Sequence, residues 1–209
     1  MKKNRGDFDG EFDLSGGILC LDFANTVSKR EIAGQTRDDL PGYDELVFFA
    51  RDSGVVSPQF AREILDFSDV KPRERDHVFH AAIRLREAIY RVFAAIANSQ
   101  AANRKDVKLI EEFATEAMNR RQLTSGGHGY RWEWKRGKDE NLAYFLWPIA
   151  QSAAELLTSD RVRAVRECAA GDCAWLFLDE SRNHSRRWCD MKVCGNRQKA
   201  RRHYQRAQQ

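Results

Sequence analysis

Hydrophobic residues repeat with helical spacing over most of the first 160 positions of the chain. In the clearest stripe, between Pro72 and Asn98, apolar residues recur every three or four positions: Val78, Ala82, Leu85, Ile89, Val92 and Ile96. Similar patterns predict helices over 43–53 (ended by Gly54), 58–68, 104–122 (ended by Gly126-Gly127) and 141–157 (bent at Trp147-Pro148). This part of the chain is therefore expected to be mainly helical.

Two other segments predict a small β component. Residues 14–23 are interpreted as a turn followed by a short buried strand, with Asn25 and Thr26 as helix-capping residue types just after it. Between Tyr130 and Lys135, large aromatic and charged residues alternate, which is typical of a half-buried strand. The predicted fold class is α+β, mainly α with a small β component.

The composition indicates a folded chain with an uneven charge. With 42% hydrophobic and 32% charged residues, a disordered polymer and a membrane protein are both disfavoured. No apolar run follows the basic N-terminus and none approaches a membrane span, so we expect a soluble cytoplasmic protein. Residues 181–209 hold nine Lys or Arg against one acid, Asp190, a net +8 that leaves −4 for the other 180 residues. Such a basic tail favours a polyanionic partner.

Four of the five cysteines form two short-spaced pairs, Cys168 with Cys173 and Cys189 with Cys194, separated by fifteen residues. This arrangement is typical of a tetrahedral zinc site, whereas a cytoplasmic chain would not rely on disulfides. Four protein ligands leave no open position, so one structural Zn²⁺ is predicted. Gly171 and Gly195 are candidates for the positive φ of the tight turns. The isolated Cys20 is expected in the hydrophobic core.

The segments around these cysteines predict the outline of a small finger. Residues 175–178 are apolar and strand-like, and Asn196 is a plausible N-cap for a helix from Arg197 to Arg206. Its inward stripe would be Ala200, Tyr204 and Ala207. We therefore expect a helical N-terminal domain, 1–160, that folds without zinc, followed by a small treble-clef-like zinc finger with four cysteine ligands over 161–209.

Several motifs resemble two families that occur together. The finger is similar to the CGNR zinc finger family in Trp175-Leu-Phe-Leu-Asp179, Ser181-Arg-Asn183, Arg187-Trp-Cys189, Asp190-Met191, Cys194-Gly-Asn-Arg197 and Lys199. The front part resembles the ABATE domain in Gly17-Ile-Leu-Cys-Leu-Asp-Phe-Ala-Asn-Thr26, Leu85-Arg-Glu-Ala88 and Trp147-Pro-Ile-Ala150. The resemblance implies a bacterial, stress-responsive transcription regulator with a ligand-binding front domain and a DNA-binding finger. It places the metal on the same four cysteines.

The basic residues of the tail are the predicted nucleic-acid contacts: Arg182, Arg186, Arg187, Lys192, Arg197, Lys199, Arg201, Arg202 and Arg206. Seven of the nine are Arg, whose planar fork grips phosphates and guanine edges in a bidentate manner. DNA is the preferred partner. RNA is the main alternative, since charge does not distinguish the two and Trp188 or Tyr204 could stack on bases. A protein-interaction finger is a further alternative.

Three other hypotheses concern catalysis, a small ligand and assembly. His184 beside Asn183 is compatible with a nuclease, but both are also ordinary turn residues, so no enzyme is predicted. The polar residues Asp22, Asn25, Thr26 and Arg84 could line a pocket for a small ligand of unknown identity, although capping and surface pairing explain them equally well. A homodimer is expected if the protein binds symmetric operators.

Overall fold

The computed structural model describes residues 12–30, 32, 34–127, 129–135 and 141–207, with only the backbone described for Asn141, Arg202 and Ala207. Over these residues the chain forms the α-helices α1 (Leu19–Ala24), α2 (Tyr43–Asp52), α3 (Pro58–Val70), α4 (Pro72–Ala97), α5 (Arg104–Asn119), α6 (Leu146–Thr158) and α7 (Asn196–Ala207). Short 3₁₀ turns cover Asn141–Ala143 and Asp160–Ala164, and a π-helical turn covers Met191–Gly195. Among the helices that the structure describes, none is both long enough and apolar enough to cross a membrane.

Within the described residues, strands occur in three antiparallel pairs: β1 (Val27–Ser28) with β2 (Arg37–Asp38), β3 (Arg121–Gly126) with β4 (Gly129–Trp134), and β5 (Val165–Glu167) with β6 (Leu176–Leu178). The third pair sets the geometry of the candidate site. In its register, Val165 lies opposite Leu178, and Glu167 lies opposite Leu176. The fold is therefore mainly helical with a small β component, as predicted.

The core is built from residues of all six helices α1 to α6. The predicted stripe of α4 is buried from Val78 to Val92, and the predicted apolar residues of the α6 region, from Leu142 to Leu156, are buried as well. In α5 the residues Ile110 and Ala117 are buried, whereas Val107 is exposed. Helix periodicity therefore identified the inner faces of the long helices, because each has one side against the core and one against water.

The segment predicted as a buried strand is instead the helix α1. Cys20, Leu21, Phe23 and Ala24 are all fully buried, and Asp22 is buried with them. Because neighbours cover every side of α1, its apolar run shows neither a period of two nor one of 3.6. A short apolar run of this kind cannot be assigned to helix or strand by periodicity alone. The expected core position of Cys20 is confirmed.

One expectation about a helix end was wrong. Helix α5 ends at Asn119, before the Gly126-Gly127 pair, because residues 121–126 form β3 and pair with the correctly predicted strand β4. Pro148 occupies the third position of α6, where no intrahelical donor is lost, so the proline gives no reason for the predicted bend.

Strands β5 and β6 contribute to the same core as the helices. Val165, Leu176 and Leu178 pack with the body, whereas Phe177 faces a second cluster built around the four cysteines. The division into 1–160 and 161–209 stays a prediction, but the hydrophobic core extends past residue 160.

Candidate metal centre and nucleic-acid interface

The two cysteine pairs occupy the two turns expected of a treble-clef-like finger. Cys168 directly follows β5 and Cys173 shortly precedes β6, so this pair lies in the turn that joins the two strands. The backbone N–H of Cys168 donates to the Trp175 carbonyl, which extends the ladder into that turn. Cys189 precedes the π-helical turn and Cys194 lies within it, at the start of α7. The strand pair and the helix therefore meet at the cysteines.

The geometry of the cluster fits a zinc ion. All four Sγ atoms lie within 4.8 Å of one another, and the Cys173–Cys189 and Cys189–Cys194 pairs are 3.6 Å apart. Four sulfurs at about 2.3 Å from one tetrahedral zinc are about 3.8 Å apart, so little adjustment is needed. All five cysteines are free of disulfides and all are buried. Four thiolates in this arrangement can hold one structural Zn²⁺, as predicted.

The protonation of the cluster also favours a cation. Hydrogen bonds with Cys173 and then Cys189 lower the pKa of Cys168. The pKa values of Cys173 and Cys189 are raised, in each case first through the hydrogen bond to Cys168. Burial raises the pKa of Cys194. One thiolate therefore suppresses ionisation of its neighbours, and further thiolates need a positive charge at the centre.

Side chains beside the second cysteine pair shape its turn. The Asp190 carboxylate accepts a hydrogen bond of 2.8 Å from the Val193 N–H and caps the π-helical turn, so the cap is Asp190 and not the predicted Asn196. A Cβ at Gly195 would displace the sulfur of the half-exposed, flexible Met191 side chain and would lie in ordinary contact with Trp188 at 3.6 Å. Neither Gly171 nor Gly195 has the expected positive φ; the left-handed residue of the first turn is Ala174.

Two of the predicted nucleic-acid contacts form ion pairs within the finger. The guanidinium groups of Arg197 and Arg201 lie 3.0 and 2.9 Å from the two carboxylate oxygens of Asp172, whose side chain is 13% exposed. Arg197 also donates to the Cys194 sulfur at 3.3 Å. These arginines therefore fasten α7 to the turn that carries the first cysteine pair, and Arg197 supports a metal ligand.

Arg186 and Asp179 hold the loop between β6 and the second cysteine pair. The Arg186 guanidinium lies 4.5 Å from the centre of the Phe177 ring and donates to the carbonyls of Trp188, Cys189 and Ser15. Asp179 is fully buried and accepts from the Ser181 N–H and hydroxyl and from the Arg186 N–H. Burial raises the pKa of Asp179, but these hydrogen bonds lower it by more, so the pKa lies below its ordinary value. Arg186 is thus a structural residue of the finger.

The remaining cations of the predicted set point into solvent. Arg182, Arg187, Lys192, Lys199 and Arg206 are exposed, and none has a carboxylate partner within the ranges that the structure describes. The side chain of Arg202 lies outside the described part of the chain. The predicted inward stripe of α7 is wrong, since Ala200 is exposed and Tyr204 is 70% exposed. Helix α7 therefore projects from the finger with most of its basic surface uncovered.

Three of the four residues named for a small ligand have structural roles. The Asn25 side chain, 2% exposed, donates to the Leu176 carbonyl at 2.8 Å and accepts from the Leu176 N–H at 2.9 Å. It thereby completes the outer edge of β6 and joins α1 to the finger. Asp22 accepts from the Gly16 N–H, and burial raises its pKa to about 6. Thr26 donates to the Phe23 carbonyl.

The fourth ligand candidate, Arg84, is not part of this group. It is exposed on α4, whereas Arg86, about 200° around the same helix, is 2% exposed. Arg86 donates to the Thr26 hydroxyl and forms two hydrogen bonds of 2.7 Å with the Asp38 carboxylate. The sequence missed Arg86 because only its position on the inner face of α4 distinguishes it from Arg84.

The helical body, the strand pair and the four-cysteine cluster define a zinc-finger protein with a helical front part. Residues 17–160 match the model of the ABATE family, described as "Putative stress-induced transcription regulator". Residues 164–207 match the CGNR zinc finger. The chain belongs to the ABATE family, and its C-terminal module is a CGNR zinc finger. A comparison with curated proteins gives no match.

Proposed function

We propose that this protein is a transcription regulator that binds DNA through phosphate contacts made by its zinc finger. The observation that carries the proposal is helix α7, which has no acidic residue and exposes the unpaired side chains of Lys199 and Arg206. Proteins that neutralise phosphates gain affinity from the counterions they release, and exposed unpaired cations are the groups that do so. The membership in a family of transcription regulators supports the same function.

The finger residues divide into those that shape the surface and those that meet the ligand. Zinc, when bound, holds the two cysteine turns together and so fixes where α7 begins. Arg197 and Arg201 orient α7 through Asp172. Lys199 and Arg206 are seven residues apart and lie on one face of α7, about 200° from Arg197. We assign phosphate binding to that outer face and to the exposed loop residues Arg182, Arg187 and Lys192.

The contribution of Tyr204 to binding distinguishes DNA from RNA as the partner. The exposed ring of Tyr204 is available for stacking on an unpaired base, which stabilises single-strand complexes by about 1–3 kcal/mol per base. Duplex DNA offers only its groove edges and backbone, so it makes little use of such a ring. Tyr204→Ala is therefore expected to leave duplex binding nearly unchanged and to weaken RNA binding if RNA is the partner.

We propose further that the protein acts by binding alone, without a chemical step. The His184 ring is engaged, since its Nδ1 lies 2.8 Å from the Asp179 carbonyl, an atom that can only accept. Among the described residues, the cysteine cluster is the group suited to a metal, and its four ligands leave no open position. Cleavage of plasmid DNA in the presence of Mg²⁺, abolished by His184→Ala, would contradict this proposal.

The experiment that tests DNA binding is selection from a random duplex library with the zinc-loaded full chain, followed by sequencing. Selected duplexes should share a motif, and the same protein treated with a zinc chelator should retain no enriched DNA. Competition with single-stranded RNA provides the second arm. Failure to bind duplex DNA at low salt, or stronger competition by RNA than by unlabelled duplex, would overturn the assignment.

A further inference from the structure

A second basic surface lies where the helical body meets the finger. The 3₁₀ turn Asp160–Ala164, the strand residue Arg166 and the loop residues 180–184 enclose a cleft of about 620 Å³. We call this cleft the junction groove. Three of its arginines, Arg161, Arg163 and Arg166, lie before the first zinc ligand and outside the basic tail.

The charges that line the junction groove are not balanced. Arg161 is paired with Glu180 at 2.7 Å. Arg163 and Arg182 are exposed, and neither has a carboxylate partner in the part of the chain that the structure describes. Four arginines thus face two lining acids, Asp160 and Glu180. The groove retains a surplus of positive charge suited to an anionic ligand.

Arg166 is held in place for such a ligand. Its Nη1 donates to the Arg163 carbonyl at 2.7 Å and to the Val165 carbonyl at 2.9 Å. These bonds leave the Nη2 and Nε donors of the guanidinium for a phosphate, which a planar fork binds in a bidentate manner. Holding a flexible side chain by backbone carbonyls reduces the entropy lost on binding.

The opposite wall of the groove is fixed as well. The buried Asp179 carboxylate accepts from Ser181 and from the Arg186 N–H, and the His184 N–H donates to the Ser181 carbonyl. The loop that presents Arg182 is therefore ordered by its own hydrogen bonds. The same loop continues to the exposed Arg187 and then to the ligand Cys189, so the groove and the zinc centre lie at opposite ends of one short segment.

We propose that the junction groove binds the phosphodiester backbone of the nucleic acid beyond the contacts of α7, with Arg163, Arg166 and Arg182 as its phosphate ligands. The proposal rests on the proposed function of the finger. It extends the interface from α7 and the loop after β6 to the 3₁₀ turn Asp160–Ala164 and to β5. The protein would then contact a longer stretch of backbone than α7 alone can reach.

The test is the salt dependence of duplex binding by full-length, zinc-loaded protein, measured by fluorescence anisotropy. The variants are Arg163→Gln and the double variant Arg163→Gln/Arg182→Gln, both at exposed positions. Each lost contact should reduce the slope of log K against log salt by about 0.9 and the affinity near 0.1 M salt by about tenfold. The matched control removes two exposed cations of the body, Arg73→Gln/Arg104→Gln, and should change neither. Zinc content and circular dichroism verify that each variant is folded.

A helix variant, Lys199→Gln/Arg206→Gln, separates failure of this inference from failure of the proposed function. If the helix variant loses slope while Arg163→Gln, which lies outside the surface assigned to the finger, matches the wild type, the groove does not contact nucleic acid and the inference is wrong. If the wild type itself binds no duplex or RNA, the proposed function fails as well. Inorganic phosphate is also tested by its effect on melting temperature. If phosphate raises the melting temperature of the wild type but not that of Arg163→Gln, while DNA binding is the same in both, the groove is a site for a small anion. That result also overturns the proposal.

Discussion

At the residue scale, the structure separates polar side chains that hold the fold from those free to bind. Arg84 and Arg86 are two positions apart in sequence, yet one is exposed and the other is buried against Thr26 and Asp38. Arg186 and Arg197 likewise belong to the scaffold of the finger, whereas Lys199 and Arg206 face solvent. Residue type alone does not reveal this division.

Replacing Arg86 tests directly whether a buried polar side chain holds the fold while an exposed one on the same helix does not. Arg86→Ala removes a buried guanidinium together with its hydrogen bonds to the Thr26 hydroxyl and the Asp38 carboxylate, so we expect a loss of about 3 kcal/mol in the free energy of unfolding. Arg84→Ala, the matched control on the same helix, should change it by less than about 0.5 kcal/mol. Urea unfolding of both variants measures the difference. Equal effects would show that Arg86 is not the anchoring residue.

Asp22 gives a pH dependence with a defined sign. Burial raises its pKa from 3.8 to about 6, partly opposed by the N–H groups of Gly16 and Gly17. The folded state therefore binds the proton more tightly than the unfolded state. The stability that protonated Asp22 adds is fully present below about pH 4 and is lost as the pH rises through 6. A pKa shift of this size corresponds to about 3 kcal/mol in the free energy of unfolding.

The variant Asp22→Asn keeps an acceptor for the Gly16 N–H but cannot ionise. It should be more stable than the wild type at pH 7, and its advantage should shrink as the pH falls towards 4. Chemical unfolding at a series of pH values provides the measurement. If the unfolding free energies of the wild type and the variant change in parallel between pH 7 and pH 4, the pKa of Asp22 is not raised.

At the element scale, the long helices were predictable and the short elements were not. Helices α2 to α6 each have one face on the core, so the spacing of their apolar residues located them. α1 is buried on all sides, and β3 carries no apolar alternation, so neither has a periodic signal. The two cysteine pairs were recognisable because their ligands are close in sequence. The partners of Arg86 and Asn25 lie 48 to 151 residues away, a separation that no local pattern encodes.

Asn25 connects two of these elements, α1 and β6. Asn25→Ala leaves the buried N–H and carbonyl of Leu176 without partners, and we expect a loss of about 3 kcal/mol in unfolding free energy. The exposed Asn119→Ala is the control and should be nearly neutral. Amide hydrogen exchange of Leu176 should accelerate in the Asn25 variant. Unchanged protection of that amide would contradict the assigned role.

At the scale of the whole molecule, the body and the finger share one core. Val165, Leu176 and Leu178 pack with the helices, and the Trp175 indole N–H donates to the Val27 carbonyl at 3.1 Å. From the sequence, residues 1–160 were expected to fold without zinc. Since the strand pair between the metal and the helices belongs to both parts, we now expect zinc to stabilise the entire chain.

Removal of zinc by a chelator should therefore lower the melting temperature of the whole protein and preserve a single cooperative transition. Cys189→Ser should give the same result without a chelator. Differential scanning calorimetry, with circular dichroism to follow the helices, measures both. Two separated transitions, with the helical one unaffected by zinc, would instead support an independent 1–160 domain.

The central claim is that exposed cations of a zinc-ordered finger bind nucleic-acid phosphates. Its most direct test is the slope of log K against log salt for duplex DNA. Five exposed cations of the basic tail, Arg182, Arg187, Lys192, Lys199 and Arg206, have no carboxylate partner among the described residues. They predict a slope of about −4 or steeper for the wild type, and Lys199→Gln/Arg206→Gln should reduce its magnitude by about two units without releasing zinc. A zinc-loaded helix variant that binds with the affinity and slope of the wild type would contradict the claim.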